Sequence, residues 1–142
     1  MPKAYYSMTF DNTAAEVWSR INDFNEDTWS GDVSKSWSEN DKTGQEVGNI
    51  RIIQIGDKQL RQSLRAYSEV ERSYSYDFVG LPSMPVRNFL ATIRVTPVIN
   101  DNRAFVEWFA TFDCDEVNDD YCSTYFLEGC KRWLTALCKE LG

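Results

Sequence analysis

Between Val33 and Phe112 apolar and polar residues alternate with a period of two, and short polar turns interrupt the alternation. The segments "VSKSWSE", "NIRIIQI", "LRQSLRAYS", "RSYSYDFV", "NFLATIRVTPV" and "AFVEWFATF" read as strands, with turns at "NDKTGQ", "GDK" and "NDN". "AYYSMTF" predicts a further strand near the start of the chain. Connections this short cannot cross over a sheet, so consecutive strands must pair antiparallel. The period changes at two places. Ala14, Val17, Trp18 and Ile21 recur at helical spacing behind Thr13 and Glu16, which form a capping-box pattern. The following "NDFNEDTW" reads as a break or a second, shorter helix. From about Asn118 to Leu141 no proline occurs, and Cys122, Phe126, Cys130, Trp133, Leu134, Leu137 and Leu141 predict one long helix.

The predicted order is strand, helix pair, about six strands, long helix. It implies an α+β fold in which a curved antiparallel sheet of six to seven strands wraps around the C-terminal helix, with two short helices after strand 1. Neither layer can bury its apolar side alone. The sequence shows no linker or repeat, so residues 1–142 are expected to form a single domain.

Two features break the simple pattern. "GLPSMPVRNF" places Pro82 and Pro85 between two strands, giving a stiff connection poor in hydrogen-bond donors. Gly129 stands inside the long helix, where glycine costs about 1 kcal/mol relative to alanine. Close packing or a cavity wall would account for it.

Composition narrows the function. A net charge of −7 repels phosphate backbones and anionic lipid, which excludes nucleic acid as an expected partner. No apolar run is long enough for a membrane helix, and "MPKAYYSMTF" lacks the layout of a secretory signal, so a cytoplasmic protein without membrane insertion is expected. Cys114, Cys122, Cys130 and Cys138 are spaced by eight, which on a helix turns successive thiols about 80° apart. With no histidine and no C-x-x-C pair, neither a metal nor a cofactor is expected, and the thiols read as free. The absence of histidine also excludes a His-centred triad. Aromatic residues make up 14% of the chain, enough to fill a core or line a cavity for a flat or greasy molecule.

The segments "AAEVWSRINDF", "VGNIR", "LRQSLRAYSEVERSYSYDFVG" and "PVRNFLATIRV" together resemble the START/SRPBCC helix-grip superfamily, which includes birch pollen allergen proteins, polyketide cyclases and abscisic acid receptors. The resemblance spans nearly the whole chain. It implies an internal cavity between sheet and helix, with Phe89 standing where relatives often carry tyrosine. In that frame "GLPSMPVRNF" is either a gate, with Pro82, Met84 and Pro85 in its lid, or an ordinary edge connection. The loop at residues 55–59 would face it.

An inward Phe89 carries Ala91, Ile93 and Val95 inward with it. The same parity turns Arg51, Ile53, Ile55, Gln62, Leu64, Ala66, Tyr74, Tyr76 and Phe78 inward, and groups Glu107 with Phe105 and Phe109. Lys35 follows on the parity of Val33 and Trp37, and the resemblance adds Tyr125, Gly129 and Trp133 from the helix. Arg51 and Glu107 are then expected to pair, either around a ligand or as a structural ion pair.

Two functions in the cavity stay open. One is binding of a hydrophobic or aromatic small molecule by a monomer or weak homodimer. The other is a cyclase or dehydratase reaction in the same cavity, with Arg51, Glu107 and Tyr76 as catalytic groups. A regulatory interaction module is a third class, supported only by the acidic surface.

Overall fold

The structure is a computed structural model that describes residues 3–142. Seven strands form one antiparallel sheet: β1 (Ala4–Phe10), β2 (Lys35–Ser38), β3 (Ile50–Ile55), β4 (Lys58–Ser68), β5 (Ser73–Val79), β6 (Arg87–Val98) and β7 (Arg103–Asp113). Their order is β1-β7-β6-β5-β4-β3-β2, so β2 to β7 form a meander and β1 adds to its far edge. Helix α1 (Ala14–Ile21) and one 3-10 turn (Thr28–Ser30) link β1 to β2, and helix α2 (Asp119–Leu141) closes the chain. The expected second short helix is only that turn.

Local chemistry sets these boundaries. Thr13 caps α1 by accepting a hydrogen bond from the Glu16 amide at 3.2 Å, and α1 buries Ala14, Val17, Trp18 and Ile21. Helix α2 buries Cys122, Phe126, Gly129, Cys130, Leu134 and Leu137 along one stripe. Gly31, at φ 87°, allows the 3-10 turn to lie close to α2, because a Cβ there would meet the Ala136 Cβ at 3.2 Å. Phe10, Val17, Ile21, Leu64, Ile93, Val95, Val106, Leu134 and Leu137 fill the centre, fully buried between the sheet and the helices.

Register decides which side chains enter that core. Side chains directly opposite one another on neighbouring strands share a face. Ala91, Ile93 and Val95 point inward as expected, and they pair with Ala110, Trp108 and Val106 of β7. Those residues, with Ala104 and Phe112, are therefore the inner set of β7, and Phe105, Glu107 and Phe109 lie on the outer face. This corrects the expected parity of β7. Its inner alternation, Ala104 to Phe112, is apolar throughout, whereas the outer one carries Arg103, Glu107 and Thr111 beside two phenylalanines, so grouping Glu107 inward followed the rings rather than the period.

Two further parity expectations change. The register of β4 shifts between Leu64 and Ala66, a bulge that keeps Gln62 and Leu64 inside but turns Ala66 outward. In β2, Ser36 pairs with the inward Ile53, which leaves Lys35 and Trp37 on the outer face, with Lys35 Nζ 5.0 Å from the Trp37 ring. Lys35 thus lies outside the core.

The corrected face of β7 has a measurable consequence. Phe112→Ala should lower unfolding free energy by about 3–5 kcal/mol because a buried ring is removed, whereas Phe109→Ala on the outer face should cost less than half as much. Urea denaturation of both variants checks this, and equal losses would contradict the assigned faces.

Candidate functional site

Between the inner sheet face and α2 lies a cavity of about 60 Å³. Its floor comes from the sheet: Arg51, Ile53 and Ile55 of β3, Leu60 and Gln62 of β4, Tyr76 and Phe78 of β5, Phe89 of β6 and Trp108 of β7. Tyr125, Phe126 and Trp133 of α2 form the roof, and Asp27, Ser30 and Val33 close one side. Ser83 and Met84 reach it from the β5–β6 connection. Tyr125 is 41% exposed, which places it at the mouth.

Of the residues predicted from sequence, Arg51, Ile53, Gln62, Tyr76, Phe78, Phe89, Met84, Tyr125 and Trp133 line this space. Leu64 and Ala91 are buried in the adjoining core and do not border it. Gly129 lies beneath the Trp133 ring, where an added Cβ would come within 2.7 Å of the indole, so glycine lets that ring fold back along its own helix. Trp133 is fixed there by donating from Nε1 to Asp32 Oδ2 at 2.7 Å.

Glu107, Phe109 and Lys35 are absent from the cavity for the reasons of register given above. Glu107 instead accepts from Arg94 Nη2 at 3.1 Å and from the Tyr5 hydroxyl at 2.6 Å on the outer face. The expected Arg51–Glu107 pair does not form. Arg51 is paired inside with a residue that strand parity could not reach: Asp27, whose Oδ1 lies 3.5 Å from Nη1. Asp27 sits in a turn, and turns carry no alternation to read.

Arg51 is the electrostatic centre of the site. It is 2% exposed, donates from Nε to Gln62 Oε1 at 2.8 Å and from Nη1 to the Phe24 carbonyl at 2.9 Å, and stacks 4.0 Å from the Phe24 ring. The Tyr76 ring flanks it at 5.2 Å. Burial pushes the Asp27 carboxyl above its ordinary range, Arg51 pulls it back down, and Glu26 adds to the rise. Burial likewise raises the phenols of Tyr74 and Tyr76, so both remain protonated at neutral pH.

The connection containing both prolines seals one end. Met84 and Val86 turn inward and are buried, Leu81 projects into solvent, and Pro85 is exposed at the surface. Pro82 borders a separate outer groove of about 310 Å³, which shares Phe78 and Phe89 with the inner cavity. Strands β5 and β6 pair only from Ser73↔Arg94 to Tyr76↔Ala91. Beyond that point they splay, and the Phe78 and Phe89 rings, 4.7 Å apart, fill the gap. Across from this connection, the β3–β4 turn contributes Ile55 and Leu60 to the wall while Gly56 and Asp57 face solvent.

A model of the family described as polyketide cyclase / dehydrase and lipid transport matches residues 1–142. Solved structures of the same fold include a protein from Nitrosospira multiformis with 26% identity, covering 98% of this chain and 95% of that one at a TM-score of 0.83. A protein from Thermobifida fusca shares 25% identity over 98% of this chain and 92% of its own, with a TM-score of 0.87. The protein XoxI from Bacillus cereus shares 27% identity over 97% and 94% of the two chains, with a TM-score of 0.82. No curated protein matches the sequence.

The buried acid gives a pH signature with a definite sign. A carboxyl whose folded pKa lies above its unfolded value of about 4 binds more protons when folded, so its contribution to stability falls as pH rises through that window. Wild-type protein should therefore lose stability relative to Asp27→Asn as pH rises from about 4, measured as the difference in urea unfolding free energy. A difference that is flat or rises with pH would contradict this.

Proposed function

The chain belongs to the polyketide cyclase / dehydrase and lipid transport family, a helix-grip family of the START/SRPBCC type, and from that premise we propose that it binds a largely apolar small molecule between sheet and α2. The observation that carries this reading is a cavity walled by aliphatic and aromatic side chains, into which a buried guanidinium and a buried amide project. Burying such groups costs free energy unless each is fully paired, and here their pairing leaves donors turned toward the cavity.

The space is small. About 60 Å³ holds a few waters, whereas pockets for drug-sized molecules run from about 300 Å³ upward. Occupancy therefore requires side chains to move, and the candidates lie at one end of the cavity: Met84 on the proline-flanked connection, the half-exposed Tyr125, and Phe78 and Phe89 beside the outer groove. Pro82 and Pro85 restrict the connection's backbone, which lowers the entropy cost of its closed position. In this reading the segment is a gate with a stiff frame and a flexible methionine latch.

A catalytic role in the same space has one specific support. Asp27 is the carboxyl that borders the cavity, and its raised pKa, beside Arg51 and the Tyr76 phenol, is what proton transfer to or from a carbonyl compound uses. Glu107, on the outer face, has no part in that set.

Binding is tested with 2-naphthalenemethanol, a neutral apolar probe, followed through quenching of Trp108 and Trp133 fluorescence, alongside native mass spectrometry of the purified protein. Ile53→Phe, which fills the cavity, should weaken the probe at least about tenfold. Met84→Ala should speed its association by removing the latch. Probe binding indifferent to Ile53→Phe, or none at all, would overturn the reading.

A further inference from the structure

The polar groups around the cavity are unequal in kind. Arg51 spends Nε and Nη1 on Gln62 and the Phe24 carbonyl, its Nη2 makes no hydrogen bond within 3.5 Å among the described residues, and the Tyr74 hydroxyl lies beside the same guanidinium. Gln62 accepts through Oε1 from Arg51, and its Nε2 amide has no acceptor among the described residues. The Tyr76 oxygen accepts from Trp108 Nε1 at 3.2 Å, leaving the phenolic proton without an acceptor there. All three side chains are over nine-tenths buried and line the same cavity. Three unspent donors thus face a space that one acidic side chain, Asp27, also borders. At 3.5 Å from Arg51 Nη1, Asp27 accepts no hydrogen bond through its carboxylate among the described residues.

Resting on the binding reading above, we propose that the cavity takes an apolar molecule ending in a carboxylate, held by Arg51, Gln62 and Tyr76, with one proton shared between that carboxylate and Asp27. An acceptor-rich head group would give these cavity-facing donors partners, and hydrogen bonds from a guanidinium to a carboxylate are among the strongest available. A second negative charge next to Asp27 would be repelled. Two carboxylates sharing the one cation Arg51 would repel, so Asp27, where it is ionised, takes up a proton as the guest arrives and then donates to it. The groups facing Asp27 agree with that outcome: Arg51 from β3 is the one cation, Glu26 adds negative charge from the same turn, and Tyr74 and Tyr76 from β5 stay neutral. The aliphatic and aromatic remainder of the cavity receives the apolar part of the molecule.

The test compares 2-naphthoate with 2-naphthalenemethanol, which share a ring system and differ in the head group. Wild-type protein should bind the carboxylate at least about tenfold more tightly than the alcohol. That preference should shrink in Tyr76→Phe, which removes one donor without altering charge, and vanish in Arg51→Gln. Between pH 5 and 9 naphthoate affinity should fall as pH rises, approaching about tenfold per pH unit where Asp27 is ionised in the free protein. Asp27→Asn should bind naphthoate with a flat pH profile. Equal affinities for the two probes, or a wild-type profile without slope, would overturn the carboxylate assignment while leaving apolar binding intact. Failure of both probes to bind would remove the two readings together. If Arg51→Gln does not fold, the Tyr76→Phe and pH measurements decide alone.

Discussion

One guanidinium sets the terms for the interior. Arg51 points from β3 into an aromatic enclosure, where an unpaired cation would cost several kcal/mol, so the surrounding chain must supply compensation. Gln62 answers from the neighbouring strand, opposite Arg51 in the register, and Phe24 and Asp27 answer from the turn after α1. The irregular segment between α1 and β2 is thereby tied to the sheet. That segment in turn carries the 3-10 turn against which α2 packs, with Gly31 allowing the close approach. A single charged side chain thus links the strand layer, the connecting turn and, through it, the closing helix.

Around this centre the apolar work is divided unevenly. Below it, Leu64, Ile93, Val95, Val106, Leu134 and Leu137 interlock without exposure and provide the stability of the fold. Above it, rings take over: Phe78, Phe89, Trp108, Phe126 and Trp133 approach one another at centroid distances of 4.7–6.5 Å. The rings meet in tilted and edge-on pairs, whereas the aliphatic side chains interlock, so the two halves of the interior differ in how they are packed.

Much of this was legible before any coordinates. The seven strands and the long helix follow from periods of two and 3.6, and the Thr13 cap from its spacing to Glu16, because each of these signals is local. Inward parity was readable on β5 and β6, where one alternation is clearly more apolar, whereas on β3 each alternation carries two isoleucines and one polar residue. It failed on β7, where Phe105 and Phe109 drew Glu107 inward although Ala104, Val106, Trp108, Ala110 and Phe112 make the uniformly apolar alternation, the one that pairs with the inner face of β6. It failed at Ala66 because a bulge is not marked in the residues themselves. Asp27 was illegible for a different reason: its partner is 24 residues away and its position depends on a turn, so neither period nor spacing points to it. The volume of the cavity depends on ring orientations, which composition does not encode.

The splayed ends of β5 and β6 alter what opening the barrel-like grip demands. Past Tyr76 and Ala91 the two strands share no ladder rungs among the described residues, and a pair of phenyl rings spans the distance instead. Parting a paired sheet means breaking backbone hydrogen bonds in cooperation, whereas turning two rings breaks none. The wall there is held by ring packing rather than by ladder bonds, and because Phe89 also meets Phe112 and Phe126, the same rings that span the gap join it to β7 and α2.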